Sequence, residues 1–273
     1  MEPNKLNLSG IQSSTPETTS CYIGPELSEE QFIPEHIFFF LAKGVVEGYD
    51  GQKKYTLRAG DYCLLRKNHL ARYAKQKDNG QFEKVVVVFE ESFLRDFSKR
   101  HPVKTGETYR EGTFVFFAKT DLIPNFVRSL SPYYQKDGKI DPSFTDVKRE
   151  ELLLILLHLD PKLASILFDF QQPEKTDLKI FMLQHYRFNV SLERLAYLTG
   201  RSLSTFKREF KQVFNDSPSH WIQQKRLQEA LFLIQKKSKK PSEVYLDLGF
   251  EYLSHFSFAF KKKFGVAPSK LAL

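Results

Sequence analysis

The sequence is poor in the residues that build disulfide frameworks and metal centres. Its 273 residues include only two cysteines, Cys21 and Cys63, which do not form a CxxC pair. Neither a disulfide framework nor a zinc site is therefore indicated. His36, His69 and His101 stand far apart and no HxH pair occurs, so we predict that the chain holds neither a catalytic metal nor a cofactor.

Long apolar runs are also missing. The longest candidate, Leu152–Leu159, is far shorter than the roughly 18 residues of a membrane span, and a buried helix explains it. The first 20 residues are polar and lack the apolar core of a signal peptide. These features predict a cytoplasmic protein with no membrane partner, whose segment 1–20 is flexible.

Excess positive charge is confined to the C-terminal part of the chain, although the whole chain has a formal net charge of +8. From Glu174 onward there are 18 Lys and Arg against 9 Asp and Glu, whereas the preceding residues carry 23 against 24. A neutral part joined to a basic part suggests that only the C-terminal part meets a polyanion. Nucleic acid is the partner that this distribution favours.

The basic part contains one pattern twice, fifty residues apart. The shift aligns Glu193 with Glu243, Leu198 with Leu248, Leu203 with Leu253, Ser204 with Ser254, Phe206 with Phe256, Phe210 with Phe260, Phe214 with Phe264 and Pro218 with Pro268. Each copy predicts a short helix, a tight turn and a longer helix. This is the order of a helix-turn-helix, whose second helix can enter a DNA major groove. Two copies predict a chain that reads two successive groove segments of double-stranded DNA.

In the first copy, Ser191–Leu198 is the predicted supporting helix, and Gly200 lies in the turn because glycine tolerates a positive φ. Ser202 is predicted to cap the next helix, which buries its phenylalanines. The opposite face carries the predicted DNA-contacting residues Ser204, Thr205, Lys207, Arg208 and Lys211. Arg208 is the best candidate for a bidentate contact to guanine. The alternative is that Arg208 binds only phosphate or pairs with a neighbouring acid.

The second copy follows a predicted linking helix, Ser219–Gln235, in which Trp221 is expected to belong to the core. Its supporting helix spans residues 242–248 and its second helix spans Leu253–Phe264. The outward side of this unit carries Tyr252, Ser254, His255, Ser257, Phe258 and Lys261. Phe258 stands at the position that matches Arg208. It is expected either to contact a thymine methyl group or to pack inside.

Two stretches of this region resemble the AraC/XylS transcription regulators: LERLAYLTGRSLSTFKREFKQVFNDSPSHWIQQKRLQEA and VYLDLGFEYLSHFSFAFKKKFGVAPSK. The resemblance implies a DNA-binding domain of about seven helices whose two reading helices enter adjacent major grooves. The base contacts of the family fall here on Ser204, Thr205, Lys207, Arg208, Ser254, His255, Ser257 and Phe258. Relatives often have arginine at the position of Phe258. The resemblance also implies a transcriptional activator that contacts RNA polymerase.

The N-terminal half shows short β-rich stretches between turn signals, which favour a small antiparallel barrel with flanking helices. It looks like the cupin-type domains that accompany this module, so we expect an α+β chain of two domains. The predicted divisions are a regulatory and dimerisation domain at 21–170, a linker at 171–176 and a DNA-binding domain at 177–273.

Alternate residues of the predicted strands could line an effector site. These residues are Phe38, Phe40, Tyr55, Tyr62 and Leu64. The competing interpretation is that they form a filled hydrophobic core, and the effector itself could be a small molecule or a protein. The predicted helix at 143–159 has an apolar stripe wide enough for pairing between two chains or for an intramolecular core.

The leading hypothesis is a sequence-specific regulator of transcription that is not an enzyme. Two alternatives remain. One is a cupin-like small-molecule binder or enzyme that carries a basic tail, and the other is an architectural protein that binds DNA without sequence preference.

Overall fold

The computed structural model describes residues 20–23, 31–102, 112–135 and 139–271. Within them, a domain of sheets and helices precedes an all-helical domain, which confirms the expected α+β architecture of two domains. Apart from Ser20, the segment 1–20 that was predicted to be flexible lies outside the described residues.

The strands of the N-terminal domain form three sheets within the described residues. In chain order they are β1 (Ser20–Ile23), β2 (Phe32–Ile33), β3 (His36–Lys43), β4 (Val45–Tyr49), β5 (Lys54–Arg58), β6 (Tyr62–Leu65), β7 (His69–Leu70), β8 (Arg72–Gln76), β9 (Glu83–Phe89) and β10 (Phe114–Phe116). The largest sheet has the order β1-β9-β3-β6-β10, a second has the order β5-β4-β8, and β2 pairs with β7. One pair departs from the antiparallel expectation, because β1 runs parallel to β9.

The central strands β3 and β9 are almost wholly buried, because each face of the large sheet is covered. One face packs on the helices α1 (Glu91–Arg100), α2 (Leu122–Ser129), α3 (Pro142–Leu159) and α4 (Ala164–Leu167). The other face encloses a second core that includes Ile37 of β3 and Val46 of β4. Alternate residues of β3 therefore belong to different cores.

The C-terminal domain consists of six α-helices and a final 3₁₀ turn, Pro268–Lys270, in agreement with the expected number of about seven. The helices are α5 (Leu178–His185), α6 (Leu192–Leu198), α7 (Leu203–Phe214), α8 (Pro218–Lys237), α9 (Pro241–Asp247) and α10 (Leu253–Phe264). Residues 171–176 contain no helix or strand. In the part of the chain that the structure describes, no helix is both long and apolar enough to cross a membrane.

Candidate nucleic-acid interface

The first helix-turn-helix is formed by α6 and α7, and a serine side chain caps each helix, as predicted for Ser202. The Ser191 hydroxyl accepts a hydrogen bond from the Arg194 backbone N–H, and the Ser202 hydroxyl accepts one from the Thr205 backbone N–H. These caps satisfy N–H groups that have no partner within the helix. They fix where α7 begins, and thus which residues occupy its first turn.

One side of α7 is anchored in the core and the other is open. Phe206 and Phe210 are fully buried, whereas Phe214 is partly buried. The five residues predicted to contact DNA share the opposite side, where Ser204, Lys207, Arg208 and Lys211 are exposed and Thr205 is half-buried. The helix therefore presents hydroxyl, ammonium and guanidinium donors on one surface.

Arg208 is available for an external ligand. Among the described residues the Arg208 side chain makes no hydrogen bond or ion pair. An ion pair between Arg208 and a neighbouring acid is therefore not observed in this part of the chain. The adjacent Glu209 is engaged elsewhere, since Lys175 Nζ and Arg201 Nε each lie 2.9 Å from its carboxylate. These contacts lower the pKa of Glu209 and hold its negative charge away from Arg208.

The helix α8 joins the two units into one body. Trp221, near its start, packs in the core of the first unit with Phe210. Leu227, Ala230 and Ile234, further along, pack in the core of the second unit. A single rigid helix of 20 residues thus contributes to both cores, which restricts how the two units can move against each other.

Arg226, on the linking helix α8, is a positioning residue that holds backbone from both halves of the domain. Its guanidinium donates hydrogen bonds to the backbone carbonyls of Tyr186 (2.7 Å), Phe188 (2.7 Å) and Gly249 (2.8 Å). Burial lowers its pKa to about 10. One signal could have found it, because Arg226 lies four residues after the partly buried Ile222 on the same side of α8.

The second unit is formed by α9 and α10. Phe256, Ala259 and Phe260 are buried. Of the predicted contact residues, Ser254, His255, Phe258 and Lys261 are exposed and Ser257 is half-buried. The Phe258 side chain is 70% exposed, so the expectation that it packs inside is wrong. The predicted contact residues are therefore exposed or half-buried on both reading helices.

The N-terminal domain contacts both supporting helices, through Arg72 of β8 and through Asn68 in the turn before β7. The Arg72 guanidinium donates hydrogen bonds to the carbonyls of Leu246 and Asp247, at the end of α9. The Tyr197 hydroxyl of α6 donates one to the Asn68 side chain, at 3.2 Å. The N-terminal domain is therefore hydrogen-bonded to the supporting helix of each helix-turn-helix unit.

A cavity of about 70 Å³ lies between the sheets of the N-terminal domain. Its wall is mainly apolar and includes Ile37, Phe39, Val46, Leu57, Cys63 and Val86. Two lysines, Lys75 and Lys84, also contribute to the wall. Among the described residues, no group of three or more His, Cys, Asp or Glu side chains could hold a metal ion.

The five residues predicted to line an effector site, Phe38, Phe40, Tyr55, Tyr62 and Leu64, do not line this cavity. Phe38, Phe40, Tyr62 and Leu64 lie in the core between the large sheet and the helices. For these four residues the alternative of a filled hydrophobic core holds. The residues of β3 and β6 that line the cavity are the other alternate set, Ile37, Phe39, Cys63 and Leu65, because a one-residue offset on a strand reverses the face. Tyr55 instead donates a 2.7 Å hydrogen bond to Asp50.

Two families of known domains match the chain. Residues 36–166 match the family described as the ExsA N-terminal regulatory domain, and residues 195–272 match a helix-turn-helix domain. The second match covers most of the two units described above.

Full-length relatives match along nearly the whole chain. The HTH-type transcriptional regulator ExsA of Pseudomonas aeruginosa is 25% identical over 93% of this chain and 92% of its own length. The virulence regulon transcriptional activator VirF of Yersinia enterocolitica is 24% identical over 86% of this chain and 88% of its own. An HTH-type transcriptional regulator of Haemophilus influenzae is 30% identical over 89% of this chain and 87% of its own.

Proposed function

The chain belongs to the AraC/XylS family of transcriptional regulators, and we propose that it activates transcription by reading one DNA sequence with both helix-turn-helix units. In this proposal α7 and α10 enter successive segments of the major groove. The ten predicted contact residues are the ones assigned to DNA, namely Ser204, Thr205, Lys207, Arg208, Lys211, Ser254, His255, Ser257, Phe258 and Lys261.

The observation that carries the proposal is the equivalent exposure of the two reading helices on either side of α8. Each helix buries a pair of phenylalanines on one side and leaves the predicted contact residues accessible on the other. Since α8 packs into both cores, the two reading surfaces keep a fixed relationship, as two-site groove reading requires. The lysines around them supply phosphate contacts and therefore affinity that depends on salt.

Selection from random duplex DNA tests this function directly. The full chain is expected to enrich one bipartite sequence, whose two parts lie about one helical turn apart. Binding to that sequence is expected to be at least about a thousandfold tighter than to random DNA at the same salt concentration. An architectural protein would enrich nothing, and that result would exclude the proposal.

We assign regulation to residues 21–170, DNA binding to residues 177–273 and the connection between them to residues 171–176. The cavity between the sheets is the candidate effector site in place of the five residues that were predicted. A small apolar molecule suits its lining, although a protein effector remains an alternative outcome. We assign the chain no catalytic role and place its activity in the bacterial cytoplasm, with RNA polymerase as a partner.

We also propose that two chains pair through α3. This helix exposes three apolar side chains, Phe144, Val147 and Leu154, while the opposite side is buried against the large sheet. Val147 and Leu154 are seven residues apart and share one side of the helix. An exposed apolar stripe of this kind suits a second copy of the same helix.

A further inference from the structure

The reading surfaces of α7 and α10 differ in their chemistry. On α7, the exposed positions of the second turn are Lys207 and Arg208, which offer charged donors. The equivalent positions on α10 are Ser257 and Phe258, so the guanidinium is replaced by an apolar ring. Such a surface cannot make the bidentate donor contact by which arginine recognises guanine.

Phe258 does not stand alone. Tyr252, which precedes α10, is 66% exposed, and Leu253, its first residue, is 40% exposed. All three are exposed in the folded chain, and none of them belongs to a hydrophobic core cluster of the described residues. The core of this unit is completed without them by Phe256 and Phe260. Their position at the start of a reading helix is where side chains reach base edges.

We propose that the second helix-turn-helix reads thymine, through contact of Phe258 with the 5-methyl group in the major groove. Thymine alone among the four bases offers a methyl group there, and phenylalanine is a side chain that contacts it. Ser254 and His255, which are also exposed on α10, supply hydrogen bonds. This inference rests on the proposed function and makes the operator chemically asymmetric, with guanine under α7 and thymine under α10.

Replacement of thymine by deoxyuridine in the selected duplex tests the inference, because only the methyl group is lost and base pairing is kept. The full chain is expected to bind about fourfold more weakly when the critical thymine is replaced, which corresponds to one buried methyl group. Phe258→Ala is expected to bind the thymine and deoxyuridine duplexes equally. The exposure of Phe258 means that this variant should fold normally, which its thermal unfolding checks.

Two further variants separate the possible outcomes. Arg208→Ala should keep the response to deoxyuridine, since it alters only the first unit. Phe258→Arg should prefer guanine at the position where the wild-type protein prefers thymine. If wild-type protein is insensitive to deoxyuridine at every thymine of an enriched sequence, the inference is wrong and the proposed function stands. If no sequence is enriched, both are wrong.

Discussion

Arg226 Nη1 lies 2.8 Å from the carbonyl oxygen of Gly249, the residue at which the second helix-turn-helix turns. The same guanidinium binds the carbonyls of Tyr186 and Phe188, which lie beside the first unit. One side chain of the linking helix thus connects backbone from both units. The relative placement of the two reading helices depends on this contact as well as on the apolar packing of α8.

Arg226→Ala should therefore destabilise the C-terminal domain. The change leaves three carbonyl groups without their donor, and we expect the free energy of unfolding to fall by about 3–5 kcal/mol. Arg226→Lys should recover only part of this loss, because an ammonium group cannot span three acceptors. Chemical denaturation measures the difference. Gln228→Ala, at an exposed position of the same helix, is the control and should change stability by less than about 0.5 kcal/mol.

Gly249 also tolerates no side chain. Its φ is +80°, and an added Cβ would lie 2.4 Å from the Arg187 carbonyl oxygen. Gly249→Ala should cost about 1–2 kcal/mol for the left-handed backbone, and further stability for displacing that carbonyl. Gly265→Ala is the matched control, since its φ is +77° and nothing lies within 4 Å of the added atom. Equal destabilisation of the two variants would show that the close contact has no effect.

Arg208 and Lys211 should differ in how they contribute to DNA binding. Arg208→Ala is expected to lose about 1–3 kcal/mol of discrimination at one base pair of the first half-site. Lys211→Ala should weaken binding to all sequences and lower the slope of log K against log salt by about 1. Titrations against single-base variants of the operator at several salt concentrations separate these effects. Uniform loss with Arg208→Ala would assign that residue to phosphate.

The proposed pairing through α3 can be tested by placing charge on its exposed stripe. Val147→Asp and Leu154→Asp together should convert a dimer into a monomer, because an isologous interface uses the same patch of both chains and so buries the introduced carboxylates of the two chains together. Sedimentation equilibrium measures the mass. Leu122→Asp, at an exposed apolar position of α2, is the control and should leave the mass unchanged. A wild-type chain that is monomeric at micromolar concentrations would contradict the pairing.

The buried His36 and the half-buried His69 should make the N-terminal domain sensitive to mild acid. Burial lowers the pKa of His36 to about 3 and that of His69 to about 4. Between pH 6.5 and pH 5 the unfolded chain gains a proton at each histidine while the folded chain does not, so stability falls as pH falls. The expected loss is about 2 kcal/mol for each histidine.

Denaturation at pH 7.5, 6.5 and 5 measures this loss. His36→Gln should remove about half of it, and its amide oxygen can still accept the hydrogen bond that the Lys67 backbone N–H now donates to Nδ1. If the variant and the wild type show the same pH dependence in this window, His36 does not contribute to it.

Much of the DNA-binding domain could be predicted from the sequence because its signals are local. A helical period of 3.6 residues places Phe206 and Phe210 on one side of α7 and Arg208 on the other, whatever lies nearby. Caps such as Ser202 act within one turn. The fifty-residue repeat then made two reading surfaces predictable from one.

The tertiary structure decided the features that depend on distant partners. Alternation along β3 places Phe38 and Ile37 on opposite faces of the sheet. The stacking of the layers decides that Phe38 packs against the helices and that Ile37 lies in the core between the sheets. The three carbonyls that bind Arg226 belong to segments up to 40 residues away along the chain. The sequence by itself determined which residues share a face. Only the folded chain decided what each face meets, since that contact is made between segments with no local relationship.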